Sequence, residues 1–126
     1  MEFVSFEIAT KLKEKGYPQS PDYFNYSSYY DWDGLRKIHS LCNASVWFDS
    51  NISRDNIYFA PTISQVLKWL REEKKLHLII PASFDEGYWW EVRDFNREIS
   101  EYSNAEYRTY EYAVLAGIEY VLDNLI

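Results

Sequence analysis

The sequence predicts an α+β domain in which three helices pack on a small antiparallel sheet of three to five short strands. Three observations carry this reading. Apolar residues recur at helical spacing in three separate stretches, other stretches alternate at period two, and turn-forming residues punctuate the chain between them. The 126 residues suit one domain, spanning 1 to 126, with a core of its own. Apolar residues make up 47% of the chain and are spread along it, so it has the composition of a folding sequence.

The first helix starts at Ser5, whose side chain can cap it, and places Phe6, Ala9 and Leu12 on one face. Gly16 is the expected left-handed residue just beyond its end. In that register Leu12 and Tyr17 form the apolar pair of a Schellman ending, and Pro18 prevents continuation. Residues 17 to 34 are rich in Tyr, Ser, Asp and Pro, and Asp33-Gly34 signals a hairpin turn. Leu35, Ile38, Leu41 and Cys42 also fit a helix after an Asp33 cap, so the hairpin is preferred with the helix left open. Val46-Trp47-Phe48 reads as a short strand, and Asp49 to Asn56 as a loop.

Thr62 and Gln65 have the spacing of a capping box, followed by Ile63, Val66, Leu67 and Leu70 at i, i+3, i+4 and i+7. This is the second helix, with Leu67 and Leu70 in the core. Leu76 to Pro81 and Gly87 to Asp94 read as an antiparallel pair around a turn at Ser83-Phe84-Asp85-Glu86. Alternation along the second of these strands puts Tyr88, Trp90 and Val92 on one face and Trp89, Glu91 and Arg93 on the other. The last helix begins near Thr109 and carries Tyr110, Ala113, Val114, Gly117, Ile118 and Val121 on one stripe. A mid-helix glycine costs about 1 kcal/mol relative to Ala, so Gly117 is expected where a neighbouring element approaches closely.

Two stretches of these helices carry a resemblance: Ala60-Pro61-Thr62 through Gln65-Val66 to Trp69-Leu70-Arg71-Glu72, and Tyr107-Arg108-Thr109-Tyr110-Glu111 followed by Ala116-Gly117-Ile118. They resemble small proteins of gut Bacteroidetes and their phages, a group with no assigned activity. The resemblance covers about half the chain and implies a mobile-element setting.

The start of the chain has neither the basic flank nor the apolar run of a secretory signal, and no stretch approaches the roughly 20 apolar residues of a membrane span. Cys42 is the one cysteine, which suits a reducing compartment. A cytoplasmic protein is therefore expected. The three Asn-x-Ser triplets, at Asn25, Asn43 and Asn51, are then turn chemistry and not glycosylation sites.

Formal charge is −7, and it is unevenly placed: residues 1–84 hold ten acids and ten bases, residues 85–126 ten acids and three bases. Nucleic-acid binding rests on Lys and Arg displacing counterions, so an acidic third disfavours DNA or RNA as partner. The acids equally suit a solvated helix that aids solubility.

Signals for catalysis are missing. No phosphate-cradling glycine pattern, nucleophile elbow or metalloprotease motif occurs. His39-x-x-Cys42 is the only close pairing of soft ligands, His77 lies far off, and structural zinc needs four ligands, so neither metal nor cofactor is expected. On a strand, His39 and Cys42 would point to opposite faces; on a helix they would be neighbours.

The unusual feature is aromatic load, 19% of the chain, with Tyr23, Phe24, Tyr26, Tyr29, Tyr30 and Trp32 inside ten residues. Tyr and Trp join large contact area to a polar tip and are enriched at binding hot spots, although Tyr also fills half-buried sheet positions. The expectation is a non-catalytic protein-binding or regulatory domain whose partner is another protein, engaged through Tyr29, Tyr30, Trp32, Trp89 and Arg93. Two rivals are an enzyme or small-ligand binder with a helix/sheet pocket, and an acidic mimic of nucleic acid that blocks a DNA-binding protein. The charge asymmetry makes one expectation testable at once: mobility-shift assays with DNA and RNA at low salt should show no complex, and a salt-sensitive shift at micromolar protein would contradict it.

Overall fold

The structure, a computed structural model, describes residues 3–19, 26–30, 36–40, 58–83, 87–96 and 98–126, with the backbone alone at 26–29 and 36–40. The described residues form three helices and six strands, in two compact units, 3–62 and 63–126. This is the α+β arrangement that the sequence predicts, with the strands divided between two antiparallel sheets of three. No helix among the described residues is long and apolar enough to cross a membrane.

The N-terminal unit opens with helix α1, Phe6–Glu14. Ser5 Oγ accepts from the Ile8 amide at 3.3 Å, the expected cap. At the other end the Tyr17 amide donates to the Leu12 carbonyl and the Gly16 amide to that of Lys13, with Gly16 at φ 90°, which completes the Schellman ending. Ile8, Ala9 and Leu12 are buried, while Phe6 is half-buried and turns its ring to Tyr30 and Tyr58. Strands β1 (Tyr26–Tyr30), β2 (Arg36–Ser40) and β3 (Tyr58–Phe59) lie in the order β2-β1-β3. Tyr26 pairs with Ser40 and Tyr30 with Arg36, so the preferred hairpin is present and 36–40 is not a helix. Backbone pairing with β1 thus favours the preferred reading over the helix that side-chain spacing had left open. Gln19 then ties the segment after α1 to β3: its amide donates to the Tyr17 carbonyl at 3.1 Å and its carbonyl accepts from the Phe59 amide at 3.0 Å.

The C-terminal unit holds helix α2 (Ile63–Glu73), strands β4 (Leu76–Ile79), β5 (Glu91–Asp94) and β6 (Ser100–Tyr102), and helix α3 (Tyr110–Asn124). In α2 the buried side chains are Ile63, Val66, Trp69 and Leu70. Leu67, expected in the core, is only half-buried, because the stripe through 63, 66 and 70 closes with Trp69 on its other flank. Lys75 ends the helix in the left-handed region, φ 58°, and its amine donates to the Glu72 carbonyl at 2.7 Å. The reversal delivers Leu76 directly into β4.

The sheet order is β4-β5-β6. The Ser83 amide donates to the Gly87 carbonyl at 2.8 Å, bracketing the expected turn. Thr109 caps α3 by accepting from the Tyr112 amide at 3.1 Å. Ala113, Val114, Gly117, Ile118, Val121 and Leu122 are buried, whereas Tyr110, expected on the same stripe, opens the helix and is 44% exposed, its ring edge to face with that of Tyr88 at 6.2 Å. A Cβ on Gly117 would lie 2.8 Å from Leu78 Cδ1 and 3.0 Å from Trp90 Cβ. The close approach inferred from the sequence is therefore between α3 and the β4–β5 ladder. Gly117→Ala should lower stability by about 1 to 3 kcal/mol by overpacking, even though Ala favours a helix by about 1 kcal/mol. Chemical denaturation measures this, and a gain in midpoint would mean that Leu78 and Trp90 yield freely.

Candidate functional site

The register of the C-terminal sheet sorts its side chains by face. Leu78, Val92 and Glu101 are direct partners across the three strands, and Leu78 and Trp90 meet α3 at Gly117, so this is the inner face. His77, Arg93 and Ser100 form one outward row, and Ile79, Glu91 and Tyr102 the next. Trp89 and Phe95 extend the outward set at either end of β5 by the same alternation. Large apolar groups are left open there: Ile79 is 43% exposed, Phe95 60% and Tyr102 65%.

Two concavities indent this face. The larger, about 530 Å³, is lined by His77, Ile79, Arg93, Asp94, Phe95, Ile99 and Ser100. The His77 and Phe95 rings meet edge to face at 4.7 Å, and Asp94 Oδ1 accepts from the Ile99 amide at 3.1 Å, closing the turn between β5 and β6. Arg93 lies flat along its strand, its Nε donating to Glu91 Oε1 at 2.7 Å and its Nη2 ion-paired with the same oxygen. That pairing commits much of the guanidinium charge locally.

The smaller concavity, about 290 Å³, lies between Trp89, Tyr102 and the segment Ser103, Asn104, Ala105 and Glu106. The Trp89 and Tyr102 rings stand 6.2 Å apart at 81°, forming a corner. Its backbone is tied on every side: Tyr88 and Tyr107 exchange amide bonds at 2.8 and 2.7 Å, the Trp89 amide donates to the Pro81 carbonyl, and the Ser103 amide to that of Trp90. Ser103 Oγ also accepts from the Trp90 amide and donates to the Ala105 carbonyl.

At the rim of the inner face, the Tyr120 hydroxyl donates to Glu101 Oε2 at 2.8 Å while its ring lies against Trp90 at 4.6 Å. The hydrogen bond to Glu101, followed by desolvation and the carboxylate charge, raises the Tyr120 pKa above the ordinary phenol value. Because the folded-state value is raised, this bond persists throughout the neutral range and is lost only as pH climbs through it. Tyr120 is thus a hydrogen-bond donor and not an activated base. Among the described residues no three His, Cys, Asp or Glu side chains gather as a metal-holding group.

Of the residues singled out in the sequence, Trp89 and Arg93 share the outer face of one sheet. Tyr30 belongs to the N-terminal unit, where its hydroxyl donates to the Val4 carbonyl at 2.6 Å and its ring packs on Phe6. Tyr29 is placed by its backbone pairing with Phe59. Trp32 and Cys42, the turn at Asp33-Gly34, the strand at 46–48 and the loop expected through 49–56 all lie outside the described residues. His39 stands in β2 opposite Ser27.

The sequence reading overlooked His77, Ile79, Phe95, Tyr102 and Glu106. The outward set from β4 could have been found by carrying the alternation back across the turn. Tyr102 could not, since a three-residue strand has no period to detect.

Comparison of the chain with protein-family models, with curated proteins and with solved structures gives no match, so the reading of this site rests on its geometry. Alternation at Trp89 and Trp90 yields a paired expectation. Trp90, 6% exposed, should cost about 3 to 5 kcal/mol when truncated to Ala, whereas half-buried Trp89 should cost less than about 2 kcal/mol. Denaturant titration of both variants checks the order, and the reverse order would place the register one residue out.

Proposed function

We propose that this chain is a non-catalytic binding domain that engages another protein through the outer face of its C-terminal sheet. The observation that carries this reading is the shared exposure of Ile79, Phe95 and Tyr102 on one sheet face beside Trp89 and Arg93. Side chains of this kind, grouped rather than scattered, mark contact surfaces, and aromatic residues with arginine dominate binding energy at interfaces. Arg93 contributes through its planar edge more than its charge, because Glu91 already balances it.

A second reading follows from the larger concavity. Its volume, about 530 Å³, is that of a small-ligand site, and His77, Arg93 and Ser100 converge on it among apolar walls. It supports a small polar ligand with an apolar side, bound without covalent chemistry.

A double variant, Ile79→Thr with Phe95→Ser, tests the first reading. Both residues are exposed, so stability should stay within about 0.5 kcal/mol per site. Affinity capture from the native cells with mass spectrometry should then lose the proteins retained by the wild-type chain. Identical captured sets from a folded variant would overturn the proposal. Small-molecule screening by thermal shift, losing its hits in His77→Ala, would favour the second reading instead.

A further inference from the structure

We propose that the corner formed by Trp89 and Tyr102 is a binding site for an alkylammonium group, with Glu106 as its counter-charge. The face of an aromatic ring carries the negative end of a quadrupole, and two faces at a steep angle attract one cation from two sides, indole most strongly. The Trp89 and Tyr102 rings meet at 81° and 6.2 Å beside a concavity of about 290 Å³ that both of them line and that suits one side-chain-sized group.

The third wall is Glu106, and Gly87 is what lets it lie there. A Cβ at Gly87 would stand 2.9 Å from Glu106 Oε2 and 3.3 Å from Glu106 Cβ, so the carboxylate arm rests on bare backbone two residues before Trp89. Glu106 has no ion-pair partner among the described residues, in contrast to Glu91, whose carboxylate is taken by Arg93. The excess of ten acids over three bases in residues 85–126 adds a field that draws cations towards this third of the chain and repels anions.

The backbone of the site is also ordered before any ligand arrives. Tyr88 is tied to Tyr107, Trp89 to Pro81 and Trp90 to Ser103 through the backbone, so the main chain that carries the Trp89 ring and starts the 103–106 segment is in place before binding. A cation placed there meets a backbone frame already in place, so the ordering cost falls on the side chains alone.

An alkylammonium group has two sources, a small quaternary amine or a lysine side chain of a partner protein. Only the second rests on the protein-contact reading above. Choline chloride titrated into isotopically labelled full-length chain, at constant ionic strength with sodium chloride as blank, tests the site. Its neutral isostere 3,3-dimethylbutan-1-ol is the control. Choline should shift the Trp89 indole N–H, assigned with Trp89→Phe, and the amides of residues 103–106 in a saturable way, and the isostere should not. Glu106→Gln should weaken choline about two- to fivefold, the scale of one exposed charge pair. Equal binding of the isostere, or no saturable shift, would overturn the proposal.

A capped peptide carrying trimethyl-lysine distinguishes the sources: tighter binding than choline assigns the partner protein, weaker binding the free amine. If choline moves nothing while capture still depends on Ile79 and Phe95, the ammonium site fails and the protein-contact reading stands. If choline binds and capture is indifferent to those residues, the ammonium site stands and the protein-contact reading falls.

Discussion

At Gly117 the axis of α3 comes so near the β4–β5 ladder that Leu78 and the Cβ of Trp90 occupy the space a side chain would need. Much of the C-terminal unit follows from that approach. Side chains alternate along a strand, so turning Leu78, Trp90 and Val92 towards the helix sends His77, Ile79, Trp89, Glu91 and Arg93 the other way. The close approach at Gly117 therefore marks which face of the sheet is inner and which is outer. It also brings Tyr120 against Trp90 and within reach of Glu101, which extends the same seam to the edge strand.

Among the described residues, two groups of aromatic side chains stand out. Tyr17, Phe59, Trp69 and Trp90 are buried, and Phe6 holds Tyr30 and Tyr58 edge to face within the N-terminal unit. These rings supply apolar area, and Tyr30 and Tyr120 each satisfy their hydroxyl with a carbonyl or carboxylate of the same unit. The second population is Trp89, Phe95 and Tyr102 on the outer sheet face, whose ring contacts are with one another or with His77 at the surface. Rings of the first kind specify the fold. Those of the second kind leave the fold with surface to offer.

Electrostatics separates the two ends of that face. At the His77 end the Arg93 charge is balanced by Glu91 on its own strand, which leaves planar and apolar surface dominant. At the Trp89 end Glu106 lines the same concavity as the Trp89 and Tyr102 rings, inside an acidic third of the chain. Chemical selectivity thus varies along one sheet, by the placement of single charged residues.

The sequence by itself determined the three helices found among the described residues, both ends of α1 and the start of α3. Ser5, Gly16 and Thr109 act through hydrogen bonds to residues three to five positions away, and Gly117 declares its packing role by being costly in a helix. It also determined that Trp89 and Trp90 part company, because alternation is a local property of extended backbone. Tertiary structure alone decided what depends on partners distant in the chain: that Trp69 outranks Leu67 in the core, and that strands as short as Tyr58–Phe59 and Ser100–Tyr102 exist. The outer face was half legible, since Trp89 and Arg93 announce themselves along β5. Tyr102 and Glu106 reach Trp89 only through the folding-back of β6 and the 103–107 segment, a juxtaposition that local spacing cannot encode.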